Sequence, residues 1–162
     1  MSLLTRVTGS PRLLLAGVAL ASLVSVAGAL IGQYRFDMLP CPWCTFQRLI
    51  YLLLAGVAVL GALWPAARRG LAGLGLLLCL GGVGVALWQH FVAAASASCA
   101  LTLADRIMQA LGLYDLAPDL FAPQASCADA AVNLLGVPFA LWSMALFALC
   151  GVACALAARR GR

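Results

Sequence analysis

The chain has 162 residues, of which 65% are hydrophobic and 9% charged, and its formal net charge is +5. A soluble domain carries about 25% charged residues to cover its surface, so this composition excludes a soluble enzyme or binding module and assigns most of the chain to lipid. The positive balance does not point to nucleic acid either, because the basic residues form no contiguous surface along the chain.

The first apolar run, 12–31, predicts a transmembrane helix. Arg6 and Arg12 before it, with Ala27-Gly28-Ala29 inside it, imitate a secretory signal. The run is longer than the roughly 7–15 residues of a signal's apolar region, so a retained helix is expected. Gly17, Ala21, Ser25 and Ala29 recur at four-residue spacing, a small-residue ridge expected to let a neighbouring helix approach closely. Further spans are predicted at 45–64, 71–89 and 137–158. Each run, with its flanks, reaches roughly 20 residues, which at about 1.5 Å per residue crosses a hydrocarbon core of about 30 Å. Between the last two lies a long segment, 90–136. Within it, 102–113 sets Leu103, Ile107, Met108 and Leu111 at helical spacing around Asp105 and Arg106. That pattern predicts a short amphipathic helix, lying on the bilayer or packed on the bundle. The expected fold is a single all-α integral membrane domain, a bundle of four transmembrane helices with a long loop between helices 3 and 4.

Charge placement gives an orientation. All ten basic residues are arginines, and seven of them (Arg6, Arg12, Arg68, Arg69, Arg159, Arg160 and Arg162) fall at the termini or in the 65–70 turn, which four spans put on one side. Positively charged segments stay in the cytoplasm, so 37–44 and 90–136 are expected to face outward, together with all five acids, Asp37, Asp105, Asp115, Asp119 and Asp129. The cysteines divide the same way. Cys41, Cys44, Cys99 and Cys127 belong to the outer side, where disulfides persist. Cys79, Cys150 and Cys154 sit inside apolar runs and read as small buried hydrophobes.

The four outer cysteines do not suit zinc, which draws on two close pairs of ligands, because only Cys41 and Cys44 are close; no metal is expected. Haem attachment through Cys-x-x-Cys-His is excluded by Thr45. A bridge between Cys99 and Cys127 would stabilise by roughly 3–4 kcal/mol as a plain staple, and for that pair a structural and a redox role are equally open. Cys41-Pro42-Trp43-Cys44 is different, since a bridge across so short a loop removes little chain entropy and is more often a redox device. Pro40 and Pro42 predict a helix that begins at Pro42, because the residue before a proline avoids the helical region and proline suits the first helical position. Cys44 then sits in the first turn, where free N–H groups and the helix dipole favour a thiolate, with Arg48 one turn further on the same face. Arg48 has two readings: a cation reaching for headgroups, or one that stabilises a thiolate and the oxygen of a reduced, anionic acceptor.

Together these features resemble the disulfide bond formation protein B (DsbB) family of bacterial inner-membrane enzymes. The resemblance covers nearly the whole chain: four spans, Cys-x-x-Cys-x-x-x-Arg at Cys41, Cys44 and Arg48, Trp88-Gln89-His90 closing the third helix, Cys99 and Cys127 in the outer loop, and Leu135-Gly136-Val137-Pro138 with Trp142 leading into the fourth helix. It implies a membrane thiol:quinone oxidoreductase that reoxidises a periplasmic DsbA-like dithiol oxidase and passes the electrons to ubiquinone or menaquinone. It also implies that Cys99 and Cys127 form the disulfide attacked by the partner at Cys99. Cys127 would then attack the Cys41–Cys44 bridge at Cys41, releasing Cys44 toward a quinone held by Arg48. Gln33 and His90, at outer helix ends, are further candidates for the quinone pocket, and Tyr34 a weaker one. Trp43 is bulky for the middle of the tetrad. Two rival classes stand beside this reading. One is a non-catalytic four-helix membrane protein with structural outer disulfides, which bound quinone would exclude. The other is an enzyme like vitamin K epoxide reductase, whose active Cys-x-x-Cys comes late in the chain, whereas here it precedes the second helix.

Overall fold

The computed structural model describes residues 10–95 and 101–160. Among the described residues four helices are long and apolar enough to cross a membrane: α1 (Pro11–Phe36), α2 (Pro42–Leu63), α3 (Arg68–Trp88), which continues through a π-helical turn (Gln89–Ala93), and α7 (Phe139–Arg160). Contacts run from α1 to α2, α2 to α3, α3 to α7 and α7 back to α1, so the helices close a ring in which chain neighbours are antiparallel. Proline marks three boundaries. Pro11 and Pro42 each stand in the first turn of their helix, and Pro65 follows the Trp64 cap of α2. Arg68 then donates back to the terminal carbonyls of Gly61 (3.0 Å) and Ala62 (3.4 Å), closing the short turn between α2 and α3.

The boundaries differ from the expected ones by a few residues. α1 runs on to Phe36 and is closed by Asp37 in the left-handed conformation, whose N–H reaches Gly32. The third span starts at Arg68 and carries on past position 89, because the π-helical turn keeps the backbone hydrogen-bonded to Ala93.

Of the small-residue ridge on α1, Gly17 stands clear, since a Cβ there would meet nothing within 4 Å, whereas Ala21 packs against the bundle core beside the buried Leu15, Val18, Ala19, Ser22 and Val26. Close approaches lie between α3 and α7, where a Cβ at Gly82 would stand 2.6 Å from the Phe147 ring and one at Gly75 3.0 Å from the Cys154 sulfur, and between α2 and α1, where one at Gly61 would stand 2.9 Å from Leu15 Cδ1. Phe147 is fully buried and stacks on Tyr51 of α2 with centroids 4.0 Å apart. Cys79, Cys150 and Cys154 fill the same core, in keeping with their reading as small hydrophobes.

The segment between α3 and α7 folds over the end of the bundle where α2 begins. It contains α4 (Leu103–Ala110), two single-turn helices α5 (Leu113–Leu116) and α6 (Pro118–Phe121), and a hairpin of β1 (Asn133–Leu134) with β2 (Val137–Pro138). The hairpin turns through Leu135 (φ 54°) and Gly136 (φ 79°), both left-handed, as a two-residue turn of matching twist requires. α4 is shorter than expected and its apolar residues do not share one face. Ala104 and Met108 are fully buried, while Leu103 and Leu111 are about three-fifths exposed. Asp105, expected on a solvated side, is buried because it closes a capping box with Thr102 and accepts from Tyr114 Oη at 2.8 Å.

Candidate redox site at the start of the second helix

Cys41 is the N-cap of α2, extended at φ −87° and ψ 169°, and its sulfur accepts the backbone N–H of Cys44 at 3.3 Å. A sulfur thus does what a serine or aspartate oxygen does at other helix starts. The same turn brings the Cys41 and Cys44 sulfurs to 2.7 Å, a separation from which a disulfide closes with little backbone movement.

Cys127 reaches this pair from the far side of the chain. The Pro40 carbonyl accepts the N–H groups of both Gln124 (2.9 Å) and Ala125 (3.2 Å), tying the outer segment to the residue before Cys41. Ser126 then turns the chain, exchanging hydrogen bonds with Asp129. Cys127 ends up buried in one cluster with Cys41, Trp43, Ala93 and Ala104. Its sulfur touches the Cys41 thiol and accepts the backbone N–H of Trp43. Cys41 therefore stands between two sulfurs. Its contact with Cys127, then that with Cys44, together with burial, pushes its thiol well above the ordinary value. Cys127 is held below it, first by the hydrogen bond from Cys41 and then by that from Trp43, against the opposing effect of burial. Cys99 lies outside the described residues.

Arg48 is 5% exposed and serves three acceptors. Nη1 donates to Gln33 Oε1 of α1 (2.8 Å) and to the Leu120 carbonyl of α6 (3.1 Å), and Nη2 reaches the Ala29 carbonyl at 3.5 Å. A guanidinium reaching for lipid headgroups would not be tied to two other elements. Beside it opens a cavity of about 380 Å³ between α1, α2 and α7, lined by Cys44 and Arg48 and by apolar groups such as Val26, Ile31 and Leu146. Ser25, Ala29 and Gly32 line it too, so the small residues of α1 make room for this space.

Gln33 is buried behind Arg48 and acts on the site by holding the guanidinium. His90 packs edge-on against the Phe91 ring, and the cavity wall at that level is supplied by its neighbour Gln89. Tyr34 is mostly exposed. Four polar residues not among the site candidates, one of them Gln89 of the Trp88-Gln89-His90 motif, meet at the cavity. Tyr51 Oη lies 3.1 Å from Ser143 Oγ, Ser143 Oγ donates to Gln47 Oε1, Gln47 Nε2 donates to Gln89 Oε1, and Gln89 Nε2 donates to the Cys44 sulfur at 3.1 Å. Among the described residues no cluster of side chains suits a metal ion.

Four membrane-length helices with a close cysteine pair capping one of them, a third cysteine in contact and a buried arginine define a membrane protein built for thiol–disulfide exchange. Comparison with known proteins agrees. The chain matches the family described as "Disulfide bond formation protein DsbB" over residues 11–157. It is 34% identical over 142 residues to disulfide bond formation protein B of Dechloromonas aromatica, covering 82% of this chain and 81% of that one. It is 35% identical to that of Polaromonas naphthalenivorans over 94% of this chain and 95% of the relative. With disulfide bond formation protein B 2 of Pseudomonas aeruginosa the identity is 32%, over 86% and 85% of the two chains. No solved structure gives a significant match. The chain belongs to the DsbB family and is a multi-pass membrane protein of disulfide bond formation.

Proposed function

We propose that this chain is a dithiol:quinone oxidoreductase of the bacterial inner membrane, with both termini in the cytoplasm, which reoxidises a DsbA-like periplasmic partner. The observation that carries the reading is the position of the Cys41 sulfur between those of Cys127 and Cys44. Thiol–disulfide exchange needs an attacking thiolate, a central sulfur and a leaving sulfur, and the three cysteines stand in that order.

The sequence of bonds follows. The partner's thiolate attacks Cys99 of a Cys99–Cys127 disulfide, and Cys127 leaves with the electron pair. Cys127 attacks Cys41 of the Cys41–Cys44 disulfide; the Cys127–Cys41 bond forms, the Cys41–Cys44 bond breaks, and Cys44 leaves as a thiolate. The partner's second thiol completes its own disulfide and frees Cys99. Cys99 then attacks Cys127, restoring the loop disulfide and returning Cys41 as a thiol. Cys41 and Cys44 now carry the two electrons taken from the partner.

The cavity suits a quinone. Its volume falls within the range of about 300–1,000 Å³ for small-molecule sites; its apolar walls match an isoprenoid tail, and Arg48 offers a cation to a carbonyl oxygen. A bound quinone supplies a two-electron, two-proton acceptor. Arg48, steadied by Gln33 and the Leu120 carbonyl, holds positive charge on the cavity wall that Cys44 shares. The α2 N-terminus stabilises Cys44 as a thiolate. The test is oxidation of a reduced DsbA-like protein by the purified chain, with a ubiquinone or a menaquinone analogue added separately. Oxidation should require one of them and consume it mole for mole. Partner oxidation that consumes no quinone would end this reading.

A further inference from the structure

We propose that Gln89 is a positioning residue for Cys44, its side-chain amide held on the Cys44 sulfur by a one-way chain of donors that starts at Tyr51. The inference rests on the reading of Cys44 as the thiolate that faces the acceptor.

The direction of the chain follows from its members. Ser143 commits its hydroxyl proton to Gln47 Oε1, so Tyr51 Oη, 3.1 Å from both the Ser143 hydroxyl and its carbonyl, is the donor at that end. With its oxygen occupied, Gln47 must present Nε2 to Gln89 Oε1. That leaves Gln89 Nε2 facing the sulfur at 3.1 Å. Turning over one amide alone would set oxygen against oxygen or nitrogen against nitrogen, and turning over both would set the Gln89 oxygen against the sulfur, which a Cys44 thiolate does not allow. Every proton in the chain therefore points toward Cys44, and bonds aligned in this way polarise one another. A donor locked on sulfur favours thiolate over thiol, since a hydrogen bond to an ion is about twice as strong as one to a neutral group.

All four side chains are at most 9% exposed and come from three elements: Gln47 and Tyr51 from α2, Gln89 from the π-helical turn, and Ser143 from α7. Single π-helical turns recur at functional sites, and this one begins at Gln89. The chain is uncharged. Its contribution at Cys44 leaves the charge of Arg48 for the cavity, where the guanidinium is anchored by Gln33 and Leu120. The titratable or charged groups around Cys44 are Cys41, Cys127 and Arg48.

The experiment uses full-length protein in detergent in a Cys41→Ser background, which removes the thiol coupled to Cys44. Alkylation of Cys44 by iodoacetamide is read by mass at that residue across pH, without quinone and then with decylubiquinone. Gln89→Leu should move the profile to higher pH by about one unit and slow alkylation at pH 7 about tenfold. Gln89→Glu, equal in shape but offering an acceptor, should move it further. Ser143→Ala, acting through two links, should move it by less. A role confined to packing would leave all three profiles on that of the parent, and that result overturns the proposal. Should Gln89→Leu not fold, the isosteric Gln89→Glu and the distant Ser143→Ala carry the same decision. A parent that develops no absorbance change with decylubiquinone defeats the quinone reading, whereas a parent that does, with unmoved variant profiles, defeats this inference alone.

Discussion

Gly82 and Gly84 lie two residues apart on α3, yet the same substitution should act on them with opposite sign. A Cβ at Gly82 would fall 2.6 Å from ring carbons of Phe147, while one at Gly84 would meet nothing within 4 Å. Replacing a mid-helix glycine by alanine gains roughly 0.5–1 kcal/mol. At Gly84 that gain stands alone. At Gly82 it meets an overpacking cost of about 1–3 kcal/mol, because Phe147 is fully buried and stacked on Tyr51 and has nowhere to withdraw. The net loss of about 0.5–2 kcal/mol should lower Tm by roughly 1–8 °C at the 2–4 °C per kcal/mol of chains this size. Thermal unfolding in detergent, followed by tryptophan fluorescence, measures it. Gly84→Ala should be neutral or slightly stabilising. The double variant Gly82→Ala/Phe147→Leu should recover part of the loss, as pairs in direct contact do. Equal shifts for Gly82→Ala and Gly84→Ala would refute the packing described for the α3–α7 seam.

Four further outcomes are expected. A membrane-impermeant thiol reagent added to reduced intact cells should label Cys99 or Cys127; labelling only after the inner membrane is breached would invert the topology. Cys127→Ser should let Cys99 accumulate as a long-lived mixed disulfide with the DsbA-like partner, visible on a non-reducing gel, while Cys99→Ser should trap little; equal trapping would remove the assignment of Cys99 as the point of attack. In Cys41→Ser protein a thiolate on Cys44 beside an electron-poor quinone should give a visible charge-transfer absorbance. Arg48→Ala should weaken it and raise the quinone KM by about a hundredfold. Arg48→Lys should raise that KM about tenfold, since a point charge cannot serve Gln33 and Leu120 together and each lost charge-assisted bond is worth about 1.5–3 kcal/mol; a wild-type KM in Arg48→Lys would contradict this. In fully reduced protein, Cys127 lies below the ordinary thiol value because Cys41 donates to it. It should therefore keep its thiolate, and its alkylation rate, to lower pH than Cys41 does, and Cys41→Ala should shift the Cys127 profile upward.

The parts of this molecule readable from sequence are those in which one local pattern decides the outcome. Long apolar runs set the four spans, and Pro40 and Pro42 around Cys41 set the start of α2 with Cys44 in its first turn. Gln47, Gln89, Ser143 and Tyr51 are not legible as a chain for the opposite reason: their partners stand 42 to 96 residues away, and no local pattern pairs one with the next. The available signal was their depth, since a polar side chain inside a membrane helix needs a partner, and Gln47 shares its turn with Cys44 and Arg48. His90 is a candidate from its place at an outer helix end, and periodicity cannot foresee the π-helical turn that begins at Gln89 and sets Gln89 on the cavity wall. α4 shows the limit of an apolar pattern. Small Ala104 packs against the bundle while Leu103 and Leu111 face away, a choice made by tertiary fit.

The two N–H groups that Gln124 and Ala125 place on the Pro40 carbonyl form a catch of modest strength. Each such bond is worth about 0.5–1.5 kcal/mol net, so the pair favours the docked segment by a factor of roughly 5 to 150. Cys127 is thus held at its target most of the time, which turns the exchange into a first-order event with a very high effective local concentration. In the proposed relay a catch of this strength would deliver Cys127 to Cys41 and still let the same segment swing out for a bulky partner, so its grip would set how turnover time divides between the two encounters.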